Sequence, residues 1–191
     1  MTSSGSESRE EIEVKLAAPD LAAVREKLIA AGAQLRSPVH SQSNELYDDD
    51  SGTLSKSGRA LRLRRANGRA VLTYKGPARF EHGAKIREER EVEVSDAGET
   101  QAILVGLGLA PRFRYEKRRE EWEWEGCVVA LDETPIGRFV EIEGEPPSLR
   151  SALVRLGLDA ADAIPYSYPE LYRRRRQEDA SLPEDMVFAE A

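Results

Sequence analysis

The chain has 191 residues, 40 % of them hydrophobic, which is enough for one domain with its own core. A formal net charge of −7 argues against a general nucleic-acid binder, yet a cavity can still focus the opposite sign on an anionic ligand. No apolar run approaches the roughly 18 residues of a membrane span.

Residues 1–8, rich in Ser and Gly and without the apolar stretch of a secretory signal, read as a disordered lead-in to a domain over 9–172. With neither signal nor span, a cytoplasmic location is expected. Residues 9–17 alternate as a strand. Pro19-Asp20 opens a helix with Leu21, Val24, Leu28 and Ile29 on its apolar face, stopped at Gly32. Residues 34–48 are extended, and Asp48 to Gly52 form a polar turn. Three adjacent aspartates there lack the spaced ligands and closing Glu of a calcium loop.

Strands over 59–66 and 69–76 are joined by the hairpin signal Asn67-Gly68. Residues 78–85 read as a mobile loop holding Arg79, His82 and Lys85, followed by a strand over 86–95. Asp96 caps a second helix with Ile103, Leu104 and Leu107 apolar. Strands at about 113–125, 127–133 and 138–144 and a helix over 149–157 complete the pattern, which hints at an internal duplication. Residues 173–191, beginning with four arginines, read as an exposed tail. The single cysteine, Cys127, is a packing residue with no histidine near it in sequence, and excludes an intramolecular disulfide.

Parity along the strands carries the functional argument. Glu11, Glu13 and Lys15 share one face of the first strand, and Ile12, Val14 and Leu16 the other. Arg62 and Arg64 alternate with leucines; Thr73 pairs with Lys75; Arg87, Glu89, Glu91 and Glu93 share a face. Lys117, Arg119, Glu121 and Glu123 oppose Trp122 and Trp124; Asp132 opposes Leu131; Glu141 and Glu143 alternate with Val140 and Ile142. A closed antiparallel sheet with helices on its apolar outside would turn these charges inward, into a hydrophilic tunnel. Buried charges must be paired or ligated, so the plainer reading is a polar barrel held by salt bridges.

The functional reading explains both signs. Closely spaced carboxylates with little His or Cys suit Mg²⁺ or Mn²⁺, and Arg and Lys suit phosphate oxygens. Together they fit a metal–triphosphate complex, with catalysis by positioning and electrostatics. The glycines match no P-loop. His40 and His82 fall in extended or loop chain and read as surface residues.

Glu11-x-Glu13-x-Lys15, Arg62-x-Arg64, Thr73-Tyr74-Lys75-Gly76-Pro77, Lys117-x-Arg119, Leu131-Asp132-Glu133 and Glu141-Ile142-Glu143 resemble, in order, the motifs of the CYTH superfamily, the triphosphate tunnel metalloenzymes. Ser167-Tyr168-Pro169-Glu170-Leu171 resembles the Ser-Tyr segment of its bacterial and archaeal branch, and the spacing is most similar to the class IV adenylate cyclase-like branch.

The resemblance implies an α+β fold: a closed eight-stranded antiparallel β tunnel with flanking helices. It implies metal binding by Glu11, Glu13, Asp132, Glu141 and Glu143. Lys15, Arg62, Arg64, Lys75, Lys117 and Arg119 would hold the triphosphate, joined by Arg87. Glu11, Glu13, Lys15 and Glu143 would carry the chemistry.

Members hydrolyse inorganic triphosphate, thiamine triphosphate or nucleoside triphosphates, and one branch cyclises ATP. Some cyclases carry His-Phe just before the first motif; here residues 4–9 read Ser-Gly-Ser-Glu-Ser-Arg, which weighs against cyclisation. The expected activity is therefore triphosphate hydrolysis. A cyclase would need an adenosine site, for which Phe80, Phe113 and Tyr115 are candidates, although packing roles suit them better. The remaining alternative is a non-catalytic polyphosphate-binding module. The expected partner is a small-molecule triphosphate, with no membrane and no nucleic acid, and from the branch alone a homodimer.

Overall fold

A computed structural model describes residues 9–189, and the expected lead-in at 1–8 lies outside them. In chain order the elements are β1 (Arg9–Ala17), α1 (Leu21–Ala30), β2 (Gln34–Asp48), α2 (Thr53–Lys56), β3 (Ala60–Ala66), β4 (Arg69–Lys75), β5 (Arg79–Glu81), β6 (Ala84–Val94), α3 (Ala97–Gly106), β7 (Ala110–Trp124), β8 (Cys127–Thr134), β9 (Gly137–Gly144), α4 (Pro146–Leu156) and α5 (Tyr168–Glu178).

The sheet runs β1-β9-β8-β7-β2-β3-β4-β6, and β6 pairs back onto β1 with Ile12 opposite Ile86, so eight antiparallel strands close into a barrel. The short β5 extends the edge of β6.

Alternation decides what lies inside. Val14 and Leu16 of β1 point outward with Trp122, Trp124, Val129, Leu131, Val140 and Ile142. Val24 and Leu28 of α1 and Leu149, Leu153 and Leu156 of α4 cover that face. Each such side chain contributes about 1.5–3 kcal/mol by leaving water. On the opposite side Leu104 of α3 packs over Leu63 and Tyr47. The apolar core is thus outside the barrel wall, and the charged faces look inward.

Several expectations are corrected. Residues 78–85 form a tight hairpin, β5 to β6, turning at His82 (φ 51°) and Gly83 (φ 81°). The same left-handed pair occurs at Asn67-Gly68, where Asn advertised it; His is a much weaker signal. Ile29 is 58 % exposed, Ile103 63 % and Leu107 72 %. Each helix offers only a narrow stripe to the barrel, and Leu107 is already the C-cap of α3.

Nor is the chain beyond 172 simply an exposed tail. Arg173, Arg174 and Arg175 are exposed on α5, but the chain then returns to the barrel. Met186 is completely buried, accepts a backbone hydrogen bond from Glu116 (2.9 Å) and donates one to Arg114 (3.0 Å). Two apolar anchors, Tyr172 and Met186, outweigh the charged run between them. No helix among the described residues is long and apolar enough to cross a membrane.

Candidate active site

The barrel interior divides into two charged walls. On the β1-β9-β8-β7 side, Lys15 lies 3.1 Å from Glu141, and Lys117 3.1 Å from Asp132. Arg119 grips Asp132 with two donors, Nε at 2.7 Å and Nη2 at 2.6 Å, and also touches Glu141. Asp132 is fully buried. Burial opposes its ionisation, but Arg119 and Lys117 outweigh that and hold its carboxyl below the usual range. Glu141 is held well below it in the same way, by Lys15 and Lys117 against burial. Lys117 is pushed down to about 8, by burial first and the adjacent Arg119 second.

The β6-β4-β3 side pairs Lys75 with Glu11 (2.9 Å) and Glu89, and Lys85 with Glu13 (3.5 Å). Arg62 reaches Glu91 at 3.1 Å and Thr73 at 3.1 Å. Burial, and then a hydrogen bond between the two carboxyls, raises Glu89 while Glu11 is lowered: one proton is held between them on Glu89.

Two inward cations make no ion pair among the described residues. Arg64, whose Nε donates to Asn44 Oδ1 at 3.1 Å, has no acidic partner among the described residues; burial and then Arg62 push it down to about 10. Arg87 turns its guanidinium onto the carbonyls of Gly76 and Gly58 and so ties β4 to the turn before β3. The Nε of buried Arg62 is also without a partner among the described residues.

One end of the barrel is closed. Tyr168, at the start of α5, donates its hydroxyl to Asp132 at 2.7 Å, and Lys15 Nζ sits 4.2 Å above its ring. Tyr168 packs with Phe139, Tyr115, Tyr172 and Met186. Lys15 also donates to the Tyr166 carbonyl at 3.1 Å. Phe113 and Tyr115, candidates for an adenosine site, are committed to this cluster: Phe113 stacks on Tyr115 at 6.0 Å and tilts against Tyr172 at 5.8 Å. Phe80 is exposed on β5.

The structure therefore places Glu11, Glu13, Lys15, Arg62, Arg64, Lys75, Arg87, Lys117, Arg119, Asp132 and Glu141 on the inward face of the barrel, divided between its two walls, with Glu143 on the same face of β9 but exposed near the strand's end. Sequence reasoning missed Lys85, placed in an expected loop. It also missed the inward row His40, Gln42 and Asn44 of β2, opposite Arg119, Lys117 and Tyr115. That strand gave no contrast, because the alternate residues Ser41, Ser43 and Glu45 are polar too.

The donor chemistry suits a hard divalent ion unevenly. Glu13 and Glu143 are cross-strand partners, and Glu11 is the next inward residue of β1. Their oxygens fit Mg²⁺ or Mn²⁺, although no three acidic groups among the described residues converge on one point. Asp132 and Glu141 are instead saturated by Lys15, Lys117, Arg119 and Tyr168.

Residues 9–162 match the model of the CYTH domain. The chain belongs to the CYTH family. Among its CYTH-like relatives, a Methanocaldococcus jannaschii protein named as a candidate adenylate cyclase is 28 % identical over 134 residues, 70 % of this chain and 75 % of that one. A solved Pyrococcus horikoshii protein is 30 % identical with a TM-score of 0.73, covering 87 % of this chain and 99 % of that one. A solved Hippeastrum protein, described as a candidate adenylyl cyclase with a dominant triphosphatase activity, is 25 % identical with a TM-score of 0.67; the match covers 86 % of this chain and 96 % of that one. CYTH relatives thus carry both cyclase and triphosphatase descriptions.

Proposed function

We propose that this CYTH protein hydrolyses a triphosphate held in the barrel, releasing the terminal phosphate. The observation that carries the reading is a set of buried donors with capacity to spare: Arg64, which makes no ion pair among the described residues, Arg62, whose Nε has no partner among them, and Lys117, which Asp132 pairs but Arg119 crowds. Buried cations of this kind are costly unless an anion satisfies them. A polyphosphate offers acceptors along a line, and a guanidinium can take two at once.

Lys15, Lys117 and Arg119 are aimed by Asp132, Glu141 and Tyr168, so that these donors need little reorganisation as charge develops on the transferring phosphoryl group. Glu11, Glu13 and Glu143 would hold the divalent ion, which when bound supplies charge neutralisation and polarises phosphate oxygens. Lys75 and Lys85, now paired with Glu11 and Glu13, would then be released toward the phosphates.

The Hippeastrum relative's triphosphatase description favours hydrolysis. Cyclisation of ATP is the second reading, favoured by the name of the Methanocaldococcus relative. The test is orthophosphate release from inorganic triphosphate with Mg²⁺ or Mn²⁺. Metal-dependent release that Glu13→Gln removes supports the proposal, and metal-independent release that survives Glu13→Gln contradicts it.

A further inference from the structure

The inner row of β2 contains a group with no role so far. Gln42 is 4 % exposed, and its Oε1 has no partner among the described residues. Its Nε2 lies 3.0 Å from His40 Nε2. The histidine sets the orientation of that amide. His40 Nδ1 is 2.9 Å from the Pro38 carbonyl, which can only accept, so Nδ1 carries the proton. In the tautomer with the proton on Nδ1, Nε2 is an acceptor, and only the NH₂ end of Gln42 can meet it. Ser37 Oγ, 3.2 Å from Nδ1, braces the ring. The amide oxygen is thereby left facing away from His40, buried and without a partner among the described residues, an arrangement that costs free energy until a donor reaches it.

Its surroundings say what it would accept from. The β7 partner of Gln42 is Lys117, the partner of His40 is Arg119, and the next inward residue of β2, Asn44, takes Arg64. The groups nearest along the strand are the donors Lys117, Arg119 and Arg64, their own acceptors being Asp132, Glu141 and Asn44, and a triphosphate brings further acceptors. The remaining donor that hydrolysis requires is the water itself.

We propose that Gln42, its amide turned by His40, holds the attacking water of triphosphate hydrolysis. The inference rests on the hydrolase reading and deepens it. Water donates one hydrogen bond to Gln42 Oε1, which leaves its lone pair directed at the terminal phosphorus. The new P–O bond forms as the bridging P–O bond breaks, and that electron pair leaves with the shortened polyphosphate. The water's surplus proton passes to a non-bridging oxygen of the transferred group, so no residue is consumed. A glutamine orients water in this way in GTP-hydrolysing proteins.

The test uses the intact chain with inorganic triphosphate. Gln42→Met keeps length and burial while removing the carbonyl. Its kcat for orthophosphate release falls by about 10- to 100-fold, the size of effect that misplacing a reactant produces. KM, and affinity for the non-hydrolysable imidotriphosphate, stay close to wild type. His40→Phe frees the amide and also lowers kcat. The double variant is no slower than Gln42→Met alone, because both changes act through one amide.

An unchanged kcat in folded Gln42→Met overturns the proposal, as does a loss confined to affinity. If Gln42→Met does not fold, an unchanged kcat in His40→Phe overturns it instead. Wild-type protein that forms cyclic AMP and pyrophosphate but no orthophosphate overturns the hydrolase reading itself, a result visible before any variant is made.

Discussion

Tyr168 and Asp132 are joined by a 2.7 Å hydrogen bond at the closed end of the barrel, although 36 residues separate them. The bond ties α5 to the carboxylate that aims Lys117 and Arg119. Tyr168→Phe keeps the ring under Lys15 but leaves Asp132 one donor short. It should lower stability by about 1.5–3 kcal/mol, the range for a hydrogen bond to a charged group. Denaturant unfolding measures this; an unchanged midpoint would show the contact to be incidental.

Arg64 and Arg119 should respond differently to truncation. Arg119→Ala strands Asp132 and Glu141 and should cost about 3–5 kcal/mol of stability. Arg64 makes no ion pair among the described residues, so Arg64→Ala loses only its hydrogen bond to Asn44 and should cost the unliganded protein far less than Arg119→Ala does. Its affinity for inorganic triphosphate should nevertheless fall by about 1.5–3 kcal/mol. Thermal unfolding and calorimetric titration of both variants check the pair. Equal losses of stability would place Arg64 in the scaffold.

Glu89 gives a pH signature in metal-free protein. Burial, and then the hydrogen bond with Glu11, raise its carboxyl from 4.5 to about 8. The folded state therefore holds this proton more tightly than the unfolded chain does. The resulting stability is complete below pH 4.5 and is lost as pH rises from 4.5 through about 8. Glu89→Gln, neutral throughout, should remove that part of the slope. Parallel stability–pH curves for wild type and variant would exclude the shared proton.

The docked C-terminal segment should matter to the fold. Met186 is completely buried among Tyr115 and Tyr172. Met186→Ala should cost about 2–5 kcal/mol, as for other large-to-small core changes. A loss below 0.5 kcal/mol, the ordinary range for surface substitutions, would show that the segment is only loosely attached.

The barrel was legible because alternation is unusually clean: Leu61, Leu63 and Val140, Ile142 leave no doubt which face of their strands is apolar. The charged residues of β1, β3, β7 and β9 followed from the same parity. What was hidden had no such contrast. His40, Gln42 and Asn44 alternate with Ser41 and Ser43, so neither face of β2 declares itself. Lys85 was obscured by a turn that uses His82, rather than Asn, in the left-handed conformation. The pairing of Tyr168 with Asp132 depends on where α5 crosses the barrel end, and no local pattern encodes that. Met186 opens a three-residue apolar run, Met186-Val187-Phe188, in an otherwise polar and acidic tail, too short a signal to distinguish docking from exposure.

The central claim is hydrolysis within a charged barrel, and a product-resolved assay tests it most directly. Purified protein is given inorganic triphosphate, thiamine triphosphate or ATP with Mg²⁺ or Mn²⁺, and orthophosphate, pyrophosphate and cyclic AMP are quantified separately. The account predicts metal-dependent orthophosphate release without cyclic AMP. Cyclic AMP and pyrophosphate formed in equal amounts from ATP, with no orthophosphate from any substrate, would contradict it.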